Sequence, residues 1–378
     1  MKKIAYSLSA ALLALTIMPW QTSTASAAEP AAPVTPLTNE ITVQTEANFR
    51  NADDVNSFII KAARNHVSVI NMSVKQDSDV NGNSGFAFYD SQIVPEAIEY
   101  ESFDALAAVI DKAHEYGIKV RAWVPQAQDK AAIDINSSWQ MRTIDDYGKI
   151  SSYTGYTGTE NHVNLFEPAV QQYERSIVKE VVQNYNIDGV VVSGLDFDNE
   201  RVDMNISTIN AFRQSNSFDP REIDFTRSSS ASKIAQWNNW KAQQMASYLQ
   251  SISTDVKTIK PDLALGVYTA SPDKANSGQD VALFSQYVDF LLPMANYSGL
   301  GHSVDWIYNS TGILAATKAK AADKTLIPAV DANIDTNTAT NLYNGLRTNQ
   351  PGVTSVNYYG IGQWTDAMLN NLGLRSSL

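Results

Sequence analysis

The run Ser193-Gly194-Leu195-Asp196-Phe197-Asp198-Asn199-Glu200 puts three carboxylic acids at alternate positions, directly after Gly189–Val192, the most apolar short run in the chain. Acids this close perturb one another, because a neighbouring negative charge raises a carboxyl pKa and lets one member hold a proton while another stays ionised. Such a division suits cleavage of a glycosidic bond, with Asp196 or Asp198 as general acid or nucleophile and Glu200 as a further acid. A solvated acidic loop or an Asp capping a helix is the plainer reading of any one of them. The cluster as a whole is read as functional.

Acids, amides and aromatic residues also follow the other short apolar runs. They include Glu46; Lys75, Asp77 and Asp79; Gln126, Gln128 and Asp129; Ser271 and Asp273; Asn296 and Tyr297; Asp331; and Tyr359 and Trp364. Aromatic rings cover the apolar faces of sugars, amides bind hydroxyls, and paired carboxyls act on the glycosidic oxygen. Trp123, Tyr268, Asn296, Tyr297, Asp331 and Tyr359 are therefore expected to bind substrate. Partner carboxylates for Asp196 would come from Asp198, Glu200, Asp331 or Glu46. Trp237 and Trp240 lie in a long helical pattern and read as packing residues.

These residues need a scaffold that brings them to one face. β-Branched apolar runs occur at Ile41–Val43, Val67–Met72, Lys119–Val124, Gly189–Val192, Ala264–Tyr268, Phe290–Met294, Leu326–Val330 and Thr354–Tyr358, which predicts eight strands. Helical spacing fills the gaps at Asp53–Asn65, Ser102–Tyr116, Pro168–Tyr185, Ser232–Ile259, Asp280–Tyr287, Val304–Ala322 and Thr338–Asn349. Ser102 reads as a helix cap and Gly117 as the stop of the same helix. Alternation of this kind predicts an α/β fold, a single-domain (β/α)8 TIM barrel, with an open doubly wound sheet as the competing architecture. No G-x-G-x-x-G turn follows the first strand, which disfavours the dinucleotide-binding version of that alternative. In a barrel, chemistry collects on the loops at the C-terminal ends of the strands, where these acids and aromatics fall.

Composition narrows the function. The 378 residues contain no cysteine, excluding a disulfide scaffold or a thiolate metal site. Lys+Arg number 28 against 40 Asp+Glu, a net charge of -12 that argues against a nucleic-acid partner. The four histidines have no metal-binding spacing, and His114, near a helix end, reads as structural. Asp77-Ser-Asp79-Val-Asn81-Gly82 begins like a calcium loop but has Phe88 where the bidentate Glu belongs, so a turn is the stronger reading. No serine-hydrolase elbow or phosphate-binding loop is present. No metal and no cofactor is expected.

Residues 1–27 read as a signal peptide: Lys2 and Lys3, an apolar stretch from Ile4 to Ile17, and the small-residue site Ala25-Ser26-Ala27. The stretch is shorter than the roughly 20 residues that span a bilayer, and Pro19 follows it, so no membrane anchor is expected. Cleavage would remove two lysines and no acid, deepening the net charge to -14. Residues 28–39 read as a flexible leader and 40–378 as the barrel, exported to the periplasm or secreted.

Several segments together resemble the bacterial glycosyl-hydrolase-like family 10 domain. FDALAAVIDKAHEYGIKVRAWV (103–124) looks like its second helix and third strand, and NLFEPAVQQYERSIVKEVVQNYNIDGVVV (164–192) like its Asn-x-x-x-Pro helix, Asp-Gly and fourth strand. WNNWKAQQMASYLQSISTDVKTIKPDLALGV (237–267), VDFLLPMANY (288–297) and Asn357–Gly360 continue the likeness, which runs over about residues 40–365. It implies a TIM barrel related to exopolysaccharide-processing hydrolase domains, acting on a secreted or cell-envelope polysaccharide without a cofactor. It also exposes a departure. Members usually carry an Asp five residues after the Asp of Asp-Gly, and counting from Asp188 that position is Ser193; the second acid of related hydrolases, three residues later, is kept as Asp196. A serine can bind a substrate hydroxyl but cannot share acid-base work. The resemblance therefore leaves two expectations, a glycoside hydrolase centred on Asp196 and a glycan-binding barrel that has lost catalysis.

Overall fold

The computed structural model describes residues 37–78, 84–155, 157–197, 199–271, 278–321 and 323–375. The predicted signal peptide, most of the leader, Asp79, Asn81 and Gly82 of the calcium-like run, Asp198 and Asp273 lie outside the described residues.

In chain order the strands are β1 (Thr38–Val43), β2 (Val67–Ser73), β3 (Lys119–Pro125), β4 (Arg142–Ile144), β5 (Ile150–Ser152), β6 (Gly189–Ser193), β7 (Ala264–Thr269), β8 (Phe290–Pro293), β9 (Thr325–Leu326), β10 (Ala329–Asp331) and β11 (Ser355–Tyr359). Apart from the antiparallel pair β4-β5, they form one parallel sheet in the order β10-β11-β1-β2-β3-β6-β7-β8-β9. β9 and β10 are two halves of one barrel strand. Pro328 between them has no N–H to give a ladder, which splits the strand. Ile327 N–H still reaches Leu291 O at 2.9 Å, Ala295 N–H reaches Ala329 O at 2.8 Å, and Asn357 N–H reaches Pro328 O at 3.0 Å. Residues 325–331 thus bond to β8 on one side and β11 on the other, closing the sheet into a (β/α)8 TIM barrel.

Side chains alternate along each strand, and the two faces have separate cores. Outward residues such as Ile41, Ile70, Val120, Val190 and Leu265 pack with the surrounding helices in the main cluster. Inward residues Val191, Tyr268, Phe290, Leu292, Ile327 and Ala329 form a second cluster inside the barrel, with Trp123, Met294 and Tyr359 against it. Lower in the lumen, Arg121 pairs with Glu40 at 2.6 Å and lies 4.5 Å from the Phe290 ring centroid. Gly266 is the small residue that admits this ring, since a Cβ there would fall 2.2 Å from it.

The main helices are Ala52–Arg64, Ala105–Glu115, Pro168–Asn184, Ala231–Ile259, Ile313–Lys320, Thr336–Asn349 and Asp366–Arg375. Four expectations are corrected. β1 begins at Thr38, inside the segment read as leader. The second helix is capped by Asp104, whose carboxylate accepts the Ala107 N–H at 2.8 Å, and not by Ser102. The segment read as one helix over Val304–Ala322 is a short 3-10 turn at Val304–Ile307 and a helix starting at Ile313, separated at Gly312, where a Cβ would meet the Trp306 carbonyl. Asp280–Tyr287 likewise holds only one α-helical turn, Val281–Phe284, and a 3-10 turn. The hairpin β4-β5 and the C-terminal helix were not foreseen.

Candidate active site

The chain leaves β6 through Gly194, whose φ of +74° lies in the left-handed region that favours glycine. A Cβ at 194 would also sit 3.0 Å from the Ala127 amide nitrogen. This turn brings Asp196 to the barrel mouth, where it lines two adjoining lobes of a groove. The first lobe, about 510 Å³, is bounded by Thr42, Tyr268, Thr269, Met294, Asn296, Asp331, Tyr359 and Ile361 among others. The second, about 330 Å³, is bounded by Asp77, Gln126, Gln128, Tyr153, Glu160 and His162 among others. Trp123, Ser193, Gly194 and Asp196 border both, so the lobes meet at the end of β6.

At this junction Trp123 donates its indole N–H to Ser193 Oγ at 2.7 Å, and its ring stands edge-on to Tyr268 with centroids 6.2 Å apart. The Tyr268 hydroxyl lies 2.5 Å from Thr42 Oγ, which donates to Asn357 Oδ1 at 2.9 Å. Burial pushes the Tyr268 phenol up, keeping it a neutral hydrogen-bonding group. Thr269 Oγ and Asn357 Nδ2 are buried without a hydrogen-bond partner among the described residues, and Thr269 lines the first lobe. Burial, then the charge of Asp331, pushes Tyr359 up to about 12. The first lobe is thus a mixture of aromatic surface and neutral hydroxyls with Asp331 at its edge.

The second lobe is more acidic. Burial works against ionisation of Glu160, but hydrogen bonds from His162 at 2.8 Å and from Thr157 hold its carboxyl below the usual range. Gln128 donates to the same carboxylate at 3.0 Å. Asp77 accepts from Gln44 Nε2 at 3.0 and 3.2 Å, while burial pushes it up to about 6. Behind it, burial and then the Asp77 charge push Glu46 up to about 7, and Glu46 Oε2 has no hydrogen-bond partner among the described residues.

Of the expected substrate-binding residues, Trp123, Ser193, Tyr268, Asn296, Asp331 and Tyr359 line the groove with Asp196. Tyr297 and Glu200 do not line either lobe. Tyr297 is half-buried, its phenol raised by burial and then by Asp335 and Asp331. Glu200 offers its carbonyl to Trp237 Nε1 at 2.9 Å and Lys241 Nζ at 3.1 Å, which anchors the loop carrying Asp196 to helix Ala231–Ile259. Trp237 and Trp240 are buried and stacked, centroids 5.4 Å apart, in keeping with packing. Lys75 and Asp129, expected at the rim, are fully buried in an ion cluster with Glu174. Trp364 is buried too, donating to Thr42 O at 3.0 Å. His114 pairs with Asp188 at 2.8 Å as a structural residue. Asp77 and Gln128, expected at the rim, line the second lobe, whereas sequence reasoning missed Tyr153, Glu160 and His162, which sit in a long connection after β3 without periodicity. Among the described residues no group of three or more His, Asp or Glu is arranged to hold a metal ion.

The profile of the family described as glycosyl hydrolase-like 10 matches residues 33–359. The chain belongs to this family. Among curated proteins, the glycosyl hydrolase DigH of Escherichia coli K12 is 26% identical over 199 residues, a match covering 49% of this chain and 42% of DigH. This glycosyl hydrolase-like 10 chain thus matches less than half the length of that relative. Among solved structures, the PgaB (BpsB) glycoside hydrolase domain of Bordetella bronchiseptica superposes with a TM-score of 0.67 at 15% identity, covering 90% of this chain and 98% of that one. A β-galactosidase from Marinomonas ef1 gives a TM-score of 0.64 at 12% identity, covering 90% and 59%. These likenesses show the same barrel in known glycosidases. No helix among the described residues is long and apolar enough to cross a membrane.

Proposed function

We propose that this protein hydrolyses a glycosidic bond of a polysaccharide outside the cytoplasm, with Asp196 as the carboxylate at the reacting carbon. The observation that carries this reading is the position of Asp196 where two groove lobes meet, with Trp123 and Ser193 beside it. A polymer lying through both lobes would present an internal bond to that point. Each lobe falls within the ~300–1,000 Å³ typical of ligand sites. The first supplies aromatic faces and hydroxyl partners, the second carboxylates and an amide, the mixture sugars require. Membership of a glycosyl hydrolase-like family and the barrel shared with the PgaB domain support the same class. Asp77, Glu160 and Asp196 in the second lobe, with the net charge of -12, favour a neutral or partly deacetylated, cationic glycan over an acidic one. The charged n-region and small-residue site at the N-terminus support export.

A second reading follows from Ser193, whose Oγ accepts the Trp123 indole where family members usually carry an acid. On that reading the barrel binds glycan without turning it over. Reducing-end release from a panel of bacterial exopolysaccharides, including poly-N-acetylglucosamine and its partly deacetylated form, separates the two. Hydrolysis by the wild-type chain supports the first, and binding to any panel member without release supports the second.

A further inference from the structure

A glycosidase needs a group that protonates the leaving oxygen, and the second lobe holds one that no sequence motif marks. We propose that Asp77 is the proton donor of the active site, with Gln44 as the positioning residue behind it. The inference rests on the reading of the chain as a glycoside hydrolase.

Three observations carry it. Asp77 lines the same lobe as Asp196, Trp123 and Ser193, so a bond held at the junction has both carboxyls within one cavity. Its orientation is fixed. Gln44 Nε2 donates to both Asp77 oxygens at 3.0 and 3.2 Å, while Gln44 Oε1 accepts the Gly362 N–H at 2.7 Å. One amide thereby ties Asp77 to the loop whose Ile361 borders the first lobe. Finally, burial pushes Asp77 up to about 6, against the Gln44 hydrogen bonds that lower it, so its carboxyl still holds a proton at mildly acid pH. Glu46, which burial pushes up to about 7, lines neither lobe, so Asp77 is the acid that meets substrate.

The other charged groups around Asp77 do not undo this. Arg50 reaches only the Glu46 carbonyl, at 3.4 Å. His162 is paired with Glu160, and Lys75, two residues upstream, is committed to Asp129 and Glu174. Asp331, the competing donor, is half-buried in the first lobe and accepts the Asn333 N–H at 2.7 Å.

In the reaction the C1–O bond breaks, its electron pair goes to the leaving oxygen, and that oxygen takes the Asp77 proton and departs as an alcohol. C1 is completed by a hydroxyl from water, whose remaining proton is collected by a carboxylate and returns to Asp77. One water is consumed per bond and the enzyme is restored.

The test compares wild type, Asp77→Asn, Asp331→Asn and Gln44→Leu on two substrates: the panel polymer that wild type cleaves, and a 2,4-dinitrophenyl glycoside of its sugar, whose leaving group needs no proton. Asp77→Asn should lower kcat/KM on the polymer by at least about 100-fold while keeping the dinitrophenyl glycoside within about tenfold, since the loss is confined to general acid catalysis. Gln44→Leu, which removes hydrogen bonds that lower the Asp77 pKa, should move the alkaline limb of the polymer profile to higher pH. An active wild type whose Asp77→Asn variant cleaves polymer normally, or loses both substrates equally, would overturn the assignment, as would the selective polymer loss appearing in Asp331→Asn instead. If Asp77→Asn fails to fold, the Gln44→Leu profile decides, and an unmoved alkaline limb counts against Asp77. A wild type inert on every polymer is a different failure, that of the glycosidase reading itself.

Discussion

Trp123 and Ser193, on neighbouring barrel strands β3 and β6, are joined by an indole N–H···Oγ hydrogen bond of 2.7 Å at the point where the two groove lobes meet. The bond sets the plane of an aromatic ring that borders both lobes, and gives the serine a structural task.

Removing that hydroxyl should loosen the ring without touching Asp196. Ser193→Ala is expected to cost about 1 kcal/mol of the orientation that the hydrogen bond supplies, raising KM roughly fivefold with kcat nearly unchanged. Steady-state kinetics on the cleaved polymer check the split. A large fall in kcat with unchanged KM would place Ser193 in the chemistry.

The barrel was legible in the sequence because its strands carry a strong local signal. Runs such as Gly189–Val192 are apolar on both faces, as a parallel strand packed between helices and lumen must be. The outward half of each run meets helices and the inward half fills the barrel, so eight strands could be placed to within a few residues. Asp196, Trp123, Tyr268, Asp331 and Tyr359 were legible with them, since a barrel presents residues near strand ends at its mouth. Tyr153, Glu160 and His162 of the second lobe were not. Glu160 and His162 lie more than thirty residues beyond β3, and only a non-local fold-back carries them to Asp196; Glu160 meets His162 and Gln128 through side chains, which leaves no period to read. The burial of Lys75 was hidden for the same reason, because its partners Asp129 and Glu174 come from distant segments.

That buried cluster makes a stability prediction. Lys75 Nζ lies 2.5 Å from Asp129 and 2.7 Å from Glu174, all three fully buried. Lys75→Met leaves two carboxyls without their cation and should destabilise the fold by about 3–5 kcal/mol at neutral pH. Burial already holds Glu174 well above the usual carboxylate range despite Lys75. The variant should therefore recover part of its deficit as pH falls and the acids protonate, which urea unfolding at several pH values will show.

Lys241 should produce a slope of the opposite origin. Burial holds its ammonium down to about 7, against the pull of Glu200 and Asp203. Between that value and its unfolded pKa near 10.4 the unfolded chain binds a proton that the native chain does not. Stability from this residue therefore rises with pH across that window. Lys241→Met should flatten the rise between pH 7 and pH 9, measured by chemical denaturation. It should also reduce activity, because the Glu200 carbonyl loses one of its two anchors in the loop that carries Asp196.

Gly194 tests the turn itself. An alanine there must adopt a left-handed φ, costing roughly 1–2 kcal/mol, and its Cβ would press on the Ala127 amide. Gly194→Ala is expected to keep a cooperative melt at a lower temperature and to lose polymer cleavage at least about tenfold, as displacement of a reacting group predicts.

The most direct test of the account is reducing-end release from the exopolysaccharide panel by the wild-type protein and by Asp196→Asn, with folding of both checked by thermal melting. The account predicts release by the wild type and its loss, by about 1,000-fold or more, in a variant that melts normally, as expected when an essential catalytic group is removed. Undiminished release by Asp196→Asn would contradict the placement of the chemistry at the end of β6.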